Sequence, residues 1–184
     1  MPRSIDLNLG CPQEHAREGH YGAYLLGKKD WPLIEQIGGS PSVPPLRPFR
    51  LNTFLETVSQ LSNSLSIPIS TKIRLCSPST LTPELGKRIA ASGASWITLH
   101  ARHTNARKRR AGPADLGAVK ALKNALDELD ASRGQGVKVV SNGNVGMWDH
   151  IVSNMEETGA DGIMVGESLL GNPWFVSHPS HSAF

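Results

Sequence analysis

Short segments in which apolar and polar residues alternate are separated along this chain by longer segments with a helical pattern. From Ile5 to Leu9 every second residue is apolar, which is the period of a half-buried β-strand. Residues 51–65 instead place apolar side chains three and four positions apart, which is the period of a helix. Both patterns recur further along, so the chain is predicted to alternate strands with helices.

Five strands are predicted from this pattern, at residues 5–9, 69–75, 96–100, 137–140 and 162–165. Helices are predicted at residues 51–65, 83–92, 116–129 and 148–155. Crossovers long enough to hold a helix are right-handed and bring successive strands side by side in parallel. The sequence therefore predicts an α/β fold with a parallel sheet, which is either open and doubly wound or curved into a barrel.

Polar residues at the end of each predicted strand distinguish these two architectures. They are Asn8 and Cys11, Lys72 and Arg74, His100 and Arg102, Asn142 and Asn144, and Gly166 and Glu167. In a (β/α)8 barrel all strand ends converge on one face, where the active site is built. An open sheet would spread them along a line. The pattern favours a barrel, although five strands cannot close one.

Composition narrows the class of protein. The 184 residues are 39% hydrophobic, enough for one core, and 19 Lys and Arg against 16 Asp and Glu make the chain only mildly basic. Cys11 and Cys76 are too few for a disulfide scaffold, and free thiols fit a cytoplasmic or nuclear protein better than a secreted one. No apolar run reaches the length of a membrane span. We expect neither a membrane segment nor a bound metal.

Cys11 lies at the exit of the first strand, within a Gly-Cys-Pro turn. Gly10 frees the backbone to turn and Pro12 cannot continue a strand ladder, so the thiol is predicted to lie in a loop at the mouth of the sheet. Catalytic groups are often found in such loops. A lone cysteine beside a glycine is more often a small buried residue, so these residues alone leave both alternatives open.

Glycines follow the last two predicted strands, in Asn142-Gly143-Asn144 and in Gly166-Glu167. Glycine lets backbone N–H groups approach an anion, and phosphate sites of barrels often lie in the loops after the last two strands. These residues are therefore consistent with a phosphate site. Asn-Gly is also a common turn dipeptide with no ligand at all.

Basic residues cluster at the ends of the second and third strands. Lys72 and Arg74 share one face of their strand; inside a barrel they need an anionic or electron-rich partner, and outside it they are solvated. His100 either binds a ring cofactor or is a satisfied core histidine. Residues 102–110 concentrate positive charge that suits a phosphate backbone, or they form a solvated basic loop.

Seven motifs occur in an order that resembles the flavin-binding barrel of the tRNA-dihydrouridine synthases. They are Asp6-Leu-Asn-Leu-Gly-Cys-Pro-Gln13, Gly19-His-Tyr-Gly-Ala23, Lys72-Ile-Arg74, Leu99-His-Ala-Arg102, Gly112-Pro-Ala-Asp115, Ser141-Asn-Gly-Asn144 and Gly162-Ile-Met-Val-Gly-Glu167 through Gly171-Asn-Pro173. Each motif is weak alone, whereas the ordered set is specific and covers nearly the whole chain. The first two are similar to the eukaryotic branch that acts on adjacent D-loop uridines, positions sixteen and seventeen.

The resemblance implies an FMN enzyme that reduces the C5=C6 bond of uridine in tRNA with NADPH as the reductant. Cys11 would be the general acid that protonates C5, and the target base would be extruded into the barrel mouth. The other implied roles are flavin contacts for Lys72 and His100, phosphate contacts for Asn142, Gly143, Asn144, Gly166 and Glu167, uracil contacts for Asn8 and Arg74, and tRNA backbone contacts for Arg102 and residues 108–110.

The chain departs from the family pattern at both ends and in one internal segment. Its first strand resembles the fourth of the family barrel, so three strands and a C-terminal helical tRNA-binding domain are expected to be missing. We therefore expect the chain alone to bind FMN weakly. Residues 38–50 are rich in Pro and Gly where the family has a helix, and are interpreted as an insertion, a loop or a gene-model artefact. Residues 1–176 are expected to form a partial FMN-binding TIM barrel of about five of eight strand–helix units, and residues 177–184 a disordered tail.

Two other functions stay open. A different FMN-dependent barrel oxidoreductase, similar to dihydroorotate dehydrogenase, would share the phosphate site without needing the basic loop. An inactive fragment that only binds RNA or a protein partner would use the basic loop and the exposed sheet edge. A tRNA-binding test separates the first of these from a synthase.

Overall fold

A computed structural model describes residues 3–18, 22–23, 49–104, 112–134 and 136–176. Its strands are β1 (Ile5–Asn8), β2 (Ile69–Arg74), β3 (Trp96–His100), β4 (Lys138–Asn142) and β5 (Gly162–Met164). Its α-helices are α1 (Glu14–Glu18), α2 (Phe49–Ser64), α3 (Thr82–Ala91), α4 (Leu116–Arg133), α5 (Trp148–Thr158) and α6 (Glu167–Gly171). Of the segment 38–50 that was interpreted as an insertion or loop, residues 49–50 instead begin α2, and residues 38–48 lie outside the described residues. The predicted tail at 177–184 also lies outside them.

The strands lie in the sheet in the order in which they follow one another along the chain, and every neighbouring pair is parallel. A doubly wound sheet instead reverses its strand order at a switch point. Sequential order, with a helix between each pair of strands, is the arrangement of a (β/α)8 barrel. The fold is thus an α/β partial TIM barrel of five strand–helix units, as the strand ends predicted.

Local sequence sets the ends of the helices that flank the strand ends. The Asp115 carboxylate caps α4 by accepting a hydrogen bond from the Ala118 N–H at 3.0 Å. Gly134 and Gly159 follow α4 and α5 with left-handed φ angles of 66° and 68°, which glycine adopts without strain. These caps determine where each connection leaves its helix for the next strand.

The face of the sheet that packs against the helices is apolar. Ile73 is in register with Leu99, and Ile97 is in register with Val139, and all four side chains are 0% exposed. Val58, Ile89 and Leu122 cover this face from α2, α3 and α4 and belong to the same core cluster. Burying an aliphatic side chain of this size contributes about 1.5–3 kcal/mol. The main core therefore lies between the sheet and its helices.

The opposite, inner face carries the polar residues. Side chains alternate along a strand, so Lys72 and Arg74 face away from the helices while Ile73 between them lies in the core. The register places Arg74 beside His100, and His100 beside Asn142. Asn142 was predicted to lie in the loop after the fourth strand, and this was wrong. It is the last residue of β4, because it pairs with strand residues on both sides.

Candidate active site

A cavity of about 430 Å³ lies at the C-terminal ends of β3, β4 and β5. Its volume is within the range of small-molecule sites in proteins. The lining includes seven residues that the sequence singled out: His100, Arg102, Asn142, Gly143, Asn144, Gly166 and Glu167. The ends of β3, β4 and β5 therefore lie together around this cavity, and the loops after β4 and β5 form one side of it.

Lys72 connects this cavity to the inner face of β2. Its Nζ donates a hydrogen bond to Asn142 Oδ1 at 2.8 Å, and Asn142 Nδ2 donates one to the Met164 carbonyl at 2.8 Å. Burial and the nearby Arg74 lower the pKa of Lys72 to about 8, although Asp6 acts in the opposite direction. Lys72 forms no ion pair among the described residues. A cation held in this way suits an anionic or electron-rich ligand.

His100 lies at the end of β3, where its surroundings favour the neutral imidazole. Burial lowers its pKa to about 3, and the positive charges of Arg74, Lys72 and Arg102 act in the same direction. Arg102 Nη1 lies 3.0 Å from His100 Nε2. A neutral histidine that lines a cavity can form hydrogen bonds to an uncharged ring without adding charge to it.

The loop after β4 has a conformation that few residues permit. Gly143 has a φ of 126°, and a Cβ there would lie 2.7 Å from the Ala114 Cβ. Asn144 has a left-handed φ of 57°, and its side chain accepts from the Ala114 N–H at 2.7 Å and donates to the Ala114 carbonyl at 2.8 Å. Asparagine tolerates this region better than most residues. The loop is thereby fixed against the segment that precedes α4.

The loop after β5 completes the cavity wall. A Cβ on Gly166 would meet no atom within 4 Å, so the missing side chain leaves open space at a residue that lines the cavity. Ser168 Oγ donates to the Val145 carbonyl at 2.7 Å and joins this loop to the one after β4. The Glu167 carboxylate would repel a phosphate, so the contact that Glu167 can offer to an anion is its backbone N–H.

Cys11, Asn8 and Arg74 form a second group at the ends of β1 and β2, outside the cavity lining. Arg74 is only 9% exposed, and its Nε donates to the Gly10 carbonyl at 2.8 Å while Nη1 donates to the His103 carbonyl at 3.0 Å. Asn8 Oδ1 accepts from the Gly10 N–H at 2.9 Å. The two residues that the resemblance assigns to uracil therefore also hold the loop that carries Cys11.

The two cysteines have different surroundings. Cys11 is a partly exposed free thiol whose carbonyl accepts from the Ala23 N–H at 3.0 Å. Gly22 packs so closely that a Cβ on it would lie 2.8 Å from the Cys11 Cβ. Cys76 is buried in the core, and burial raises the pKa of its thiol to about 11. Only Cys11 has the exposure that a reactive thiol needs.

Two residues near the cavity were not predicted. His150 lines it and accepts a hydrogen bond from the Gly146 N–H at 3.1 Å through Nδ1. Asn154 is 2% exposed, and its Nδ2 donates to the Gly143 carbonyl at 3.2 Å. The apolar pattern of α5 was misleading, because Val152 and Met155 are 45% and 39% exposed. His150 lies in the first turn of a helix that follows a glycine loop, and this position in the sequence could have indicated that it lines the cavity.

The basic loop is only partly described: Arg102, His103 and Thr104 are included, and residues 108–110 are not.

Among the described residues, no group of three or more His, Cys, Asp and Glu side chains is placed to hold a metal ion. No helix within the same residues is both long enough and apolar enough to cross a membrane.

Comparison with protein families gives a match over most of the chain. A family model described as dihydrouridine synthase (Dus) matches residues 2–37 and 50–184. The chain belongs to the dihydrouridine synthase family. The match to this Dus family leaves out residues 38–49, which fall within the segment interpreted from the sequence as an insertion or loop, and that interpretation stays a prediction.

Several Dus relatives are similar along almost all of this chain. A Saccharomyces cerevisiae protein named tRNA-dihydrouridine(16/17) synthase is 28% identical over 170 residues, which are 92% of this chain and 33% of that protein. The protein of the same name from Schizosaccharomyces pombe is 29% identical over 177 residues, 96% of this chain and 37% of its own. A mouse protein named tRNA-dihydrouridine(20a/20b) synthase-like is 29% identical over 92% of this chain and 43% of its own. The chain thus spans between a third and less than half of these relatives.

A solved structure is also similar in fold. It is that of a lactate oxidase from Pediococcus acidilactici, which superposes with a TM-score of 0.51 and 17% identity over 91% of this chain and 41% of that protein. At this identity the likeness concerns the fold alone.

Proposed function

We propose that this chain is the flavin-binding part of a tRNA-dihydrouridine(16/17) synthase, which uses FMN and NADPH to reduce the C5=C6 bond of a D-loop uridine. The observation that carries this function is that three features lie at the same end of the sheet. They are the hydrogen-bonded loop that carries Cys11, the basic side chains of the inner face, and the two glycine loops that line the cavity. Family membership and the names of the yeast relatives support it over the other FMN barrel considered from the sequence.

The residues present fit a flavin mononucleotide. Gly143 and Gly166 both line the cavity, and a side chain on Gly166 would enter open space at this lining. We assign the phosphate to Asn142, Gly143, Asn144, Gly166 and Glu167, and the ring to Lys72 and His100. When bound, the flavin supplies the hydride that NADPH delivers to it.

Cys11 supplies the proton in this proposal. Reduction of the C5=C6 bond adds a hydride to C6 and a proton to C5, so one group must be an acid. The Cys11 S–H bond breaks, its proton goes to C5, and the resulting thiolate regains a proton from water. The hydrogen bonds at Gly10 and Cys11 hold the thiol loop on both sides of the sulfur, which positions the acid for transfer.

The substrate contacts follow from the same face. Asn8 and Arg74 are proposed to contact the uracil, which must leave its stack to reach the inner face. Residues 108–110 are proposed to hold the tRNA backbone, since phosphate is the natural partner of clustered basic side chains. Arg102 makes three bonds within the protein, and its role is taken up below.

The function is tested by incubating the full chain with NADPH and an unmodified tRNA transcript, and by analysing the tRNA with mass spectrometry. FMN is added in large excess over the chain, so that the weak FMN binding expected of the chain does not limit the reaction. We expect dihydrouridine at positions sixteen and seventeen, and a rate at least about 100-fold lower for Cys11→Ala, because a positioned general acid contributes about 10²–10⁴-fold. Cys76→Ala removes the other thiol and should keep the rate within about twofold. Absence of dihydrouridine overturns the function, and an undiminished rate in Cys11→Ala overturns the role of the acid.

A further inference from the structure

We infer that Arg102 is a positioning residue that fixes the proton of the neutral His100 imidazole on Nδ1, so that His100 presents a hydrogen-bond donor to a ligand in the cavity. The resemblance to the family implied a different role for Arg102, a contact with the tRNA backbone. The hydrogen bonds of its guanidinium support the internal role.

Each nitrogen of the Arg102 guanidinium contacts a different segment. Nε donates to the Gly112 carbonyl at 3.0 Å, Nη1 lies 3.0 Å from His100 Nε2, and Nη2 donates to Asn144 Oδ1 at 3.2 Å. These partners lie at the end of β3, before α4 and after β4. Three bonds in the plane of one guanidinium leave little freedom for the side chain, so Arg102 cannot turn outward without breaking them.

The direction of the bond to His100 follows from chemistry. A guanidinium has only N–H donors, so His100 Nε2 must accept. An imidazole nitrogen that accepts carries no proton, which places the single ring proton on Nδ1. Nδ1 has no hydrogen-bond partner among the described residues, and His100 lines the cavity. The free donor is therefore available to a ligand.

The surroundings keep the ring neutral. Lys72 and Arg74 approach it from β2 and Arg102 from the loop after β3, while His150 from α5 and Glu167 from α6 line the same cavity. Burial and the three cations lower the pKa of His100 to about 3. A second ring proton on Nε2 would also face the guanidinium directly.

Gly143 leaves the room that this pair occupies. A Cβ at Gly143 would lie 3.2 Å from Arg102 Nη1 and 3.7 Å from His100 Cδ2. A side chain at this position would press on both members of the pair. The glycine loop and the Arg102–His100 pair therefore form one packed unit, although about forty residues separate them in the sequence.

The tautomer determines which ligand atoms His100 can contact. An Nδ1–H donor selects an acceptor, such as a carbonyl oxygen or an unprotonated ring nitrogen, and rejects an N–H at the same place. That this acceptor belongs to a flavin rests on the proposed function above. The tautomer itself does not depend on it.

Nuclear magnetic resonance of the full chain labelled with ¹⁵N at histidine tests the inference without flavin or tRNA. Between about pH 5 and about pH 8 we expect His100, identified by loss of its signals in His100→Asn, to show one protonated nitrogen at Nδ1 and no titration. A failure of the proposed flavin function would leave this result unchanged. An Nε2–H tautomer or an imidazolium in the wild-type chain would overturn the inference.

Variants test the role of the arginine itself. In Arg102→Met we expect the His100 signals to shift toward the Nε2–H tautomer, because the donor that blocks Nε2 is gone, and Arg102→Lys should restore Nδ1–H in part. Arg3→Met, an exposed arginine at the other end of the sheet, is the matched control and should leave His100 unchanged. An unaltered tautomer in a folded Arg102→Met protein would contradict the inference, and the wild-type spectrum decides the tautomer even if this variant does not fold.

Discussion

The two faces of the sheet are made from alternate residues of the same strands, yet one face is buried under helices and the other carries polar contacts. On the outer face Ile73 and Leu99 are 0% exposed and pack under the helices. On the inner face Lys72, His100 and Asn142 are partly exposed and contact polar groups near the cavity. Core packing and the polar contacts near the cavity are therefore carried by separate sets of side chains, so substitutions can change one without the other.

The largest expected effect is on the outer face. Ile73→Ala removes buried methyl groups between the sheet and its helices, and we expect the free energy of unfolding to fall by about 2–5 kcal/mol. Urea denaturation followed by circular dichroism measures this change.

Its control is the neighbouring residue on the other face. Lys72→Met removes a partly buried cation without an ion-pair partner among the described residues, so the free energy of unfolding should stay within about 1 kcal/mol of wild type or rise. FMN affinity should fall by about 10- to 100-fold, since a charge-assisted hydrogen bond contributes about 1.5–3 kcal/mol. Equal losses of stability in both variants would show that the faces are not separable.

A smaller effect is expected in the loop that joins the inner face to the cavity. Gly143→Ala would place a Cβ 2.7 Å from the Ala114 Cβ at a φ of 126°, and we expect about 1–3 kcal/mol of destabilisation together with weaker FMN binding. Gly136→Ala is the matched control, because it has a φ of 57° with no atom within 4 Å of its Cβ. It should cost about 1–2 kcal/mol and leave FMN binding intact. Equal FMN affinities in the two variants would remove the loop from the proposed site.

The smallest expected effect is a pH dependence that acts in opposite directions on the stability of the chain and on its FMN affinity. The pKa of Lys72 is about 8 in the folded chain, below its usual 10.5, so the unfolded chain binds more protons between these values and the stability contribution of Lys72 rises with pH there. FMN affinity should move in the opposite direction, falling above about pH 8 as Lys72 loses its charge. Titrations of both quantities from about pH 7 to about pH 10 measure this, and Lys72→Met should abolish both slopes. If stability and FMN affinity changed in the same direction with pH, the assignment of Lys72 to the flavin would be contradicted.

The fold was predictable because its signals are local. Alternation in residues 5–9 and helical periodicity in residues 116–129 each depend on neighbours in the sequence, and both elements are confirmed with ends shifted by a few residues. The order of strands followed from the handedness of crossovers. The exact end of β4 at Asn142 was missed, because it depends on pairing with His100 and Met164 from two other strands.

The site was predictable in its position but not in its contacts. Polar residues at strand ends indicated where the cavity lies. Which face Lys72 and Arg74 occupy stayed open until the register and the core placed Ile73 against the helices. The bonds from Arg102 to Asn144 and from Arg74 to Gly10 span 42 and 64 residues, and nothing in the local sequence specifies them. The roles in catalysis and substrate binding stay predictions.

The most direct test of the inner face as a cofactor site is to compare FMN with riboflavin, which carries the same ring without the phosphate. Quenching of flavin fluorescence by the full chain measures both affinities. Because the loops after β4 and β5 are assigned to the phosphate, we predict that FMN binds at least about tenfold more tightly than riboflavin, a difference of about 1.4 kcal/mol. Equal affinities, or binding of neither flavin, would contradict the account.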